Sequence, residues 1–141
     1  MREAIAWAID KDEINQAVLG GNAVVANGSI TPSAWFYSEQ PATSYDPEKA
    51  KSILEAGGWT DSDGDGIREK SGLRAKIELC TTTAQRRIDT GALLTAWLKD
   101  VGIEVVFNSV PASEIFADYN EATIDTPCAL SRSNFDLAEH A

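Results

Sequence analysis

The chain has 141 residues, of which 43% are hydrophobic and 24% charged, and this size and composition are typical of one globular domain. Its formal net charge of −10 excludes a surface built to bind nucleic acid or an anionic membrane, because both need clusters of Lys and Arg. No run of 18 apolar residues is present, so this segment is not predicted to insert into a membrane.

Residues 2–19 are predicted to form two short helices. Asp10 occupies an N-cap position, and Glu13 follows three residues later, as in a capping box. Gly20 and Gly21 are predicted to end the second helix. Residues 22–45 lack a helical period and are predicted to form a long loop.

The next helix is marked by the segment "YDPEKAKSILEAGG". Asp46 is its predicted N-cap and Pro47 its first helical residue, a position that tolerates proline because its N–H group would be unpaired there anyway. Gly57 and Gly58 are predicted to end this helix.

A strand, a helix and a second strand follow, at residues 74–82, 84–101 and 103–110. Short turns join them, which predicts a βαβ unit with parallel strands and a right-handed crossover. A short helix is predicted around Ile115, Phe116 and Tyr119, then a loop at 121–133 and the start of a third strand at 135–141. The predicted fold class is therefore α/β, with residues 1–141 as one domain: a mixed sheet that contains the βαβ unit and carries helices on its faces.

The two ends of the chain are abrupt. A helix starts at Arg2 without a lead-in, and the third strand is cut off at Ala141. We therefore expect the sequence to be a piece of a longer protein.

Two cysteines, Cys80 and Cys128, lie far apart and belong to no CxxC motif or Cys/His cluster. The pattern does not indicate a zinc site or a redox pair. Two unrelated thiols are the simplest interpretation; a disulfide is compatible with the sequence but is not required by it.

The acidic segment "DSDGDGIRE", residues 61–69, resembles a calcium loop. Asp61, Asp63 and Asp65 alternate as ligands would, the carbonyl of Ile67 falls at the seventh position, and Glu69 falls at the ninth. The twelfth position, where an EF-hand has its bidentate glutamate, is glycine. A plain turn uses the same residue types, because Asp and Gly both suit tight turns. Structural calcium at this loop is thus one hypothesis and a metal-free turn the other.

The sequence does not predict catalysis. Its one histidine, His140, lies beside the chain end, and no GxSxG, HExxH or P-loop motif occurs.

Seven segments in a fixed order carry a resemblance to a known family: "REAIAWAIDKDEINQAVLGG", "ANGSITPSAWFY", "YDPEKAKSILEAGGW", "DGDGIREK", "IELCTT", "LKDVGIEVVF" and "FDLA". Together they resemble the extracellular solute-binding proteins of family 5, the oligopeptide-, dipeptide- and nickel-binding components of ABC importers.

This resemblance implies a periplasmic-binding-protein-like lobe, specifically part of the C-terminal lobe of a two-lobed protein. Such proteins close over a peptide or similar small solute outside the membrane and deliver it to the permease subunits. The resemblance implies a periplasmic or extracellular location, with membrane anchoring through a preceding segment. It requires no cofactor. The segment "ADYNEATIDTPCALSRSN" is longer than the family's usual helix there, so the resemblance leaves the ligand class open. The alternative function is a calcium-binding interaction module that uses Asp61–Glu69.

The first predicted ligand-binding group is Thr81, Thr82 and Thr83, at the carboxyl end of the first strand of the βαβ unit. Ligands of open α/β sheets bind outside that end of the strands, and hydroxyls beside a helix N-terminus suit peptide carbonyls or a carboxylate. The alternative is that Thr83 simply caps the helix. Arg86 and Arg87 are interpreted as solvated residues of a helix face.

The second predicted group is Trp35, Phe36 and Tyr37, which we call the aromatic loop. Its rings are suited to form the wall of a cleft by stacking on a ligand. The alternative is that they pack against their own lobe.

Overall fold

The computed structural model describes residues 1–26, 28, 30, 34–38, 41 and 43–115, together with the backbone of 135–136. Helix α1 spans Arg2–Ala8 and α2 spans Lys11–Ala17. Between them, Ile9 is extended and Asp10 is the N-cap of α2: its carboxylate Oδ1 accepts a hydrogen bond of 2.9 Å from the backbone N–H of Glu13. This bond satisfies one of the N–H groups that a helix start leaves unpaired, and it confirms the predicted break at Asp10.

Helix α3 spans Pro47–Ala56 and begins as predicted. Asp46 Oδ1 accepts from Lys49 N at 2.9 Å, while Asp46 N donates to the carbonyl of Trp7 at 2.8 Å. The Lys49 ammonium lies 3.3 Å from the centre of the Trp7 ring. The start of α3 is therefore attached to α1 by a backbone hydrogen bond and a cation–π contact.

A small hairpin follows α3, with β1 at Glu69–Lys70 and β2 at Leu73–Arg74 paired antiparallel. Its two turn residues, Ser71 and Gly72, both have positive φ, at 52° and 78°. That is the backbone of a tight two-residue hairpin turn, which favours glycine. Sequence analysis missed this hairpin and assigned Arg74 to the next strand.

The βαβ unit is confirmed. Strand β3 spans Lys76–Thr82, helix α4 spans Gln85–Asp100 and strand β4 spans Glu104–Val110. The two strands pair in parallel, with Lys76 opposite Glu104 and Thr82 opposite Val110. Strand β5, Phe135–Asp136, pairs in parallel with the other side of β3, so the order is β4-β3-β5. Both kinds of strand pairing occur, but the antiparallel pair is the separate hairpin.

The core lies between α1, α3, the end of α4 and the starts of the two long strands. Its buried residues are Ala4, Ala8, Ala50, Leu54, Ala75, Leu98, Val101 and Ile103. Three of the four helix positions contributed by α1 and α3 are alanines, which allows these helices to approach each other closely. Ile77 and Val105 pack against this cluster from the sheet. The amino end of the sheet is thus fixed, and its carboxyl end lies away from the core.

Several predicted features fall partly or wholly outside the described residues. Residues 112–115 are helical, as predicted after Pro111, and Ile115 is 5% exposed. Phe116, Tyr119 and the predicted loop at 121–133 lie outside the description, as does the predicted strand beyond Asp136. Within the described chain no helix is long and apolar enough to cross a membrane. Cys80 forms a disulfide bond, so the interpretation of two unrelated thiols was wrong for this residue.

Candidate functional site

Because β3 and β4 are parallel, their carboxyl ends meet at one edge of the sheet, which we call the carboxyl edge. Thr81 and Thr82 end β3 and are buried, at 2% and 7% exposure, while Thr83 follows them in an exposed position. Ser109 of β4 lies opposite Thr81 and is exposed. The edge therefore carries a group of hydroxyls from two strands. Sequence analysis missed Ser109, although the predicted parallel pairing would have placed it there.

Helix α4 starts directly after this edge. Its N-cap is Ala84, which has no side chain that can accept a hydrogen bond, so the alternative in which Thr83 caps the helix is wrong. The helix's own bonds begin with the N–H groups of Arg87 and Ile88, both of which donate to the carbonyl of Ala84. A helix start without a side-chain cap retains N–H groups and a partial positive charge for another acceptor.

Arg87 belongs to the carboxyl edge, whereas Arg86 is exposed. The Arg87 side chain is half-buried, and its Nη1 donates to the hydroxyl oxygen of Thr82 at 3.4 Å. The interpretation of Arg87 as a purely solvated residue was therefore wrong. A guanidinium beside hydroxyl groups and a helix N-terminus makes this edge suited to a carboxylate or a carbonyl oxygen.

The aromatic loop projects its first two rings into solvent. A turn closes on the hydrogen bond from Tyr37 N to Ala34 O, at 3.0 Å. Trp35 is 92% exposed and Phe36 is 56% exposed, and their rings meet edge to face with centroids 5.3 Å apart. Tyr37 is half-buried. The alternative, packing against the lobe, does not describe Trp35 and Phe36, because most of each surface is accessible.

The three aspartates of the acidic loop, residues 61–69, come together as predicted: one carboxylate oxygen of each lies within 4.8 Å of the others. The loop's own backbone already donates to these groups. Asp61 accepts from the N–H groups of Gly64 and Gly66, at 2.7 and 2.9 Å. Asp63 accepts from Asp65 N at 3.1 Å, and Asp65 accepts from Ile67 N at 2.8 Å.

Two further contacts complete the loop. Glu69 Oε2 accepts from the N–H and the hydroxyl of Ser62, both at 3.1 Å, so the side chain predicted as a metal ligand instead joins the two ends of the loop. The guanidinium of Arg74 donates to Asp65 Oδ2 at 2.5 Å and to Glu104 Oε2 at 2.8 Å. The hydrogen bond from Ile67 N, followed by that from Arg74, holds the pKa of Asp65 below its usual value. Arg74 thus supplies positive charge at the place where a cation would otherwise do so.

A shallow cavity of about 530 Å³ lies far from these hydroxyls. It is lined by residues such as Glu55, Arg68 and Asp100, at the amino end of the sheet and the carboxyl end of α4. None of the residues predicted to bind ligand lines it. We therefore assign the candidate ligand site to the carboxyl edge, on the argument that helix and strand ends there present unpaired polar groups.

A parallel βαβ unit with a polar carboxyl edge defines the class of α/β binding lobes. Comparison with known families matches residues 1–138 to the family described as bacterial extracellular solute-binding proteins, family 5 Middle. The chain belongs to this family, which the order of its sequence segments had indicated.

Two curated relatives illustrate the match. The oligopeptide-binding protein AppA of Bacillus subtilis (strain 168) is 33% identical over 129 residues, which are 89% of this chain and 24% of the relative. The nickel-binding periplasmic protein of Escherichia coli (strain K12) is 32% identical over 119 residues, which are 83% of this chain and 23% of the relative. The chain thus spans about a quarter of the length of the curated relatives it matches.

Solved structures agree on the fold. The structure of AppA from Bacillus subtilis in complex with a nonapeptide superposes with a TM-score of 0.80 at 32% identity, over 89% of this chain and 26% of that one. The structure of NikA from Brucella suis in complex with Fe(III)-EDTA gives a TM-score of 0.74 at 29% identity, over 86% of this chain and 25% of that one. The periplasmic-binding-protein-like fold is therefore confirmed.

Proposed function

We propose that this chain forms part of the C-terminal lobe of an ABC-importer binding protein, which captures a peptide-like solute outside the membrane and delivers it to the permease. One observation carries the proposal: the carboxyl edge combines hydroxyls from two parallel strands, a helix start without a side-chain cap, and the half-buried Arg87. The named relatives include an oligopeptide-binding protein, which supports a peptide-like ligand.

In this proposal the carboxyl edge binds the polar groups of the solute. Thr82, Thr83 and Ser109 present hydroxyls to peptide carbonyls, and Arg87 with the first N–H groups of α4 accommodates a carboxylate. Trp35 and Phe36 wall the cleft and stack against apolar or planar parts of the ligand. The binding is non-covalent, and none of these groups is assigned a catalytic role.

The capture step is closure of two lobes over the ligand. A single lobe leaves one side of the ligand in water, whereas an enclosed pocket removes most of the ligand surface from water. Most of the binding free energy is therefore expected from the closed, two-lobed state. Hinge segments between the lobes absorb the backbone change on closure. The longer protein is proposed to be held at the outer membrane surface or in the periplasm by a segment that precedes this chain.

We infer that the acidic loop is a structural turn and that binding requires no cofactor. Backbone N–H groups and Arg74 already satisfy the carboxylates that calcium would need, and Glu69 is engaged with Ser62. The loop connects α3 to the hairpin and lies at the opposite end of β3 from the carboxyl edge.

A peptide titration of the chain, followed by NMR of its backbone amides, tests the proposal. With a tripeptide at about 10 mM, we expect shifts concentrated at 81–87 and 109–110 and a Kd in the millimolar range, near −4 kcal/mol, because only half of the pocket is present. Thr82→Val, which keeps the shape but removes the hydroxyl, is expected to weaken these shifts. Arg86→Ala is the matched control on the exposed face of the same helix and is expected to leave them unchanged.

Two outcomes would contradict the proposal. Shifts confined to residues 55–68 or 100–102 would move the site to the opposite end of the sheet. Micromolar affinity for the chain alone would show that one lobe is sufficient and would refute the closure argument.

A further inference from the structure

The two faces of the parallel sheet differ in what they contact. On one face, the Phe107 ring packs against Gly91 of α4, and Leu79 is the register partner of Phe107. Side chains alternate along a strand, so Cys80 and its partner Asn108 point to the other face. Val106 and Val110 share that second face and are half-buried. This second face is opposite to α4.

The order of the strands determines which face the next connection must cross. The chain leaves β3, passes through α4 and returns as β4 on one side of β3; it then reaches β5 on the other side of β3. Both connections join parallel strands, and such crossovers are right-handed in nearly all proteins. Since the second crossover runs in the reverse direction, it must pass over the face opposite α4, which is the face that carries Cys80. Ile115, early in this connection, is already 5% exposed.

Cysteine chemistry leads to the same connection. Cys80 is disulfide-bonded, and the chain contains one other cysteine, Cys128. That cysteine lies between β4 and β5 in the sequence, within residues 111–134. We propose that a disulfide between Cys80 and Cys128 fastens the 111–134 connection over the sheet face opposite α4. Crossover handedness and the cysteine count support this assignment independently.

The bond has a simple redox balance. Two thiols lose two protons and two electrons as the S–S bond forms, and a disulfide oxidant accepts them and becomes two thiols. Such oxidants belong to the extracytoplasmic compartments in which this family works, where structural disulfides persist. A disulfide also requires the two Cα atoms to be within about 7 Å, so its presence would hold Cys128 directly over β3.

Peptide mapping tests the bond directly. The purified chain is incubated with oxidised glutathione, blocked with an alkylating agent and digested with trypsin without reductant. We expect the peptide 77–86 to be linked to the peptide 100–132 in the monomer fraction, and the two to separate after reduction. Two alkylated thiols, two separate glutathione adducts, or linkage only in a covalent dimer would overturn the proposal.

Stability measurements test the role of the bond without relying on one variant. Reduction of the wild-type chain is expected to lower Tm by about 10 °C, as closure of a long loop by a disulfide predicts. Cys80→Ser, Cys128→Ser and the double variant are expected to give the same Tm as each other, because each removes the same single bond, and reductant should not lower it further. Additive losses in the double variant would instead indicate two independent thiols and contradict the pairing.

Discussion

Gly91 shows how one residue determines the distance between α4 and the sheet. It is buried in the middle of the helix, and a Cβ atom at this position would overlap the ring of Phe107 on β4. A glycine inside a helix costs about 1 kcal/mol relative to alanine. The close approach of the Phe107 ring therefore has to offset that loss, and Gly91 and Phe107 form a matched pair.

Gly91→Ala is expected to destabilise the chain by about 1–3 kcal/mol, because the gain in helix propensity is smaller than the cost of forcing the helix and ring apart. Urea unfolding at neutral pH measures this. In a Phe107→Leu background, which removes the outer ring atoms, the same substitution is expected to be neutral or stabilising. An equal loss of stability in both backgrounds would show that the overlap is not the cause.

At the scale of elements, the acidic loop and the hairpin act as one unit. The loop's carboxylates accept from its own backbone, and Arg74 of β2 joins Asp65 to Glu104 of β4. A hydrogen bond from Thr60 N to Glu69 O, together with its reciprocal bond, holds the base of the loop. The unit is therefore held together largely by charged and polar contacts at the surface.

The pKa of Asp65 is lowered in the folded chain, first by the N–H of Ile67 and then by Arg74. A lowered folded pKa contributes stability above the unfolded value, near pH 4, and this stability is lost as the pH falls through the folded value. Asp65→Asn is therefore expected to be less stable than wild type at pH 7 and equally stable near pH 2. Denaturant titrations across this range measure the difference.

A constant difference at every pH would mean that the charge of Asp65 has no part in it. Calcium and EDTA provide the control for the metal hypothesis: we expect the same Tm in both, because the loop's carboxylates are already satisfied. A rise of Tm with calcium would contradict our assignment of the loop as a metal-free turn.

The sequence predicts those elements whose boundaries are encoded locally. Asp10, and Asp46 with Pro47, mark helix starts by their own side chains, so no tertiary information is needed. The hairpin was missed because two-residue strands have no period; the Ser71-Gly72 turn was its one local signal. At the site, the threonines followed from strand position alone. The roles of Ser109 and Arg87 required the strand register and the exact first residue of α4, which sequence patterns do not determine.

At the scale of the whole molecule, Arg68 connects three parts of the lobe. Its side chain is 13% exposed and makes hydrogen bonds to Val101 O at 3.1 Å, Trp59 O at 3.0 Å and Glu55 Oε1 at 3.0 Å. Its stem lies against Gly102, where φ is 88° and a Cβ atom would come within 2.7 Å of Arg68 Cγ. The end of α4, the end of α3 and the hairpin therefore meet at one guanidinium.

Arg68→Lys is expected to lower the free energy of unfolding by about 2 kcal/mol, because an ammonium cannot form the forked set of bonds and leaves partly buried carbonyls unpaired. Arg86→Lys, at an exposed position of α4, is the matched control and is expected to stay within about 0.5 kcal/mol of wild type. Urea unfolding compares the two. Equal effects at both positions would indicate that Arg68 contributes only its charge.

The central position of β3 has a consequence for how the chain matures. Both neighbours of β3 come later in the sequence, and the second of them is not synthesised until Asp136 has been added. During synthesis and export, the nascent β3 therefore carries open hydrogen-bonding edges, which are a known route to misassociation with other chains. A chain interrupted before Phe135 would keep one of those edges permanently available to strangers.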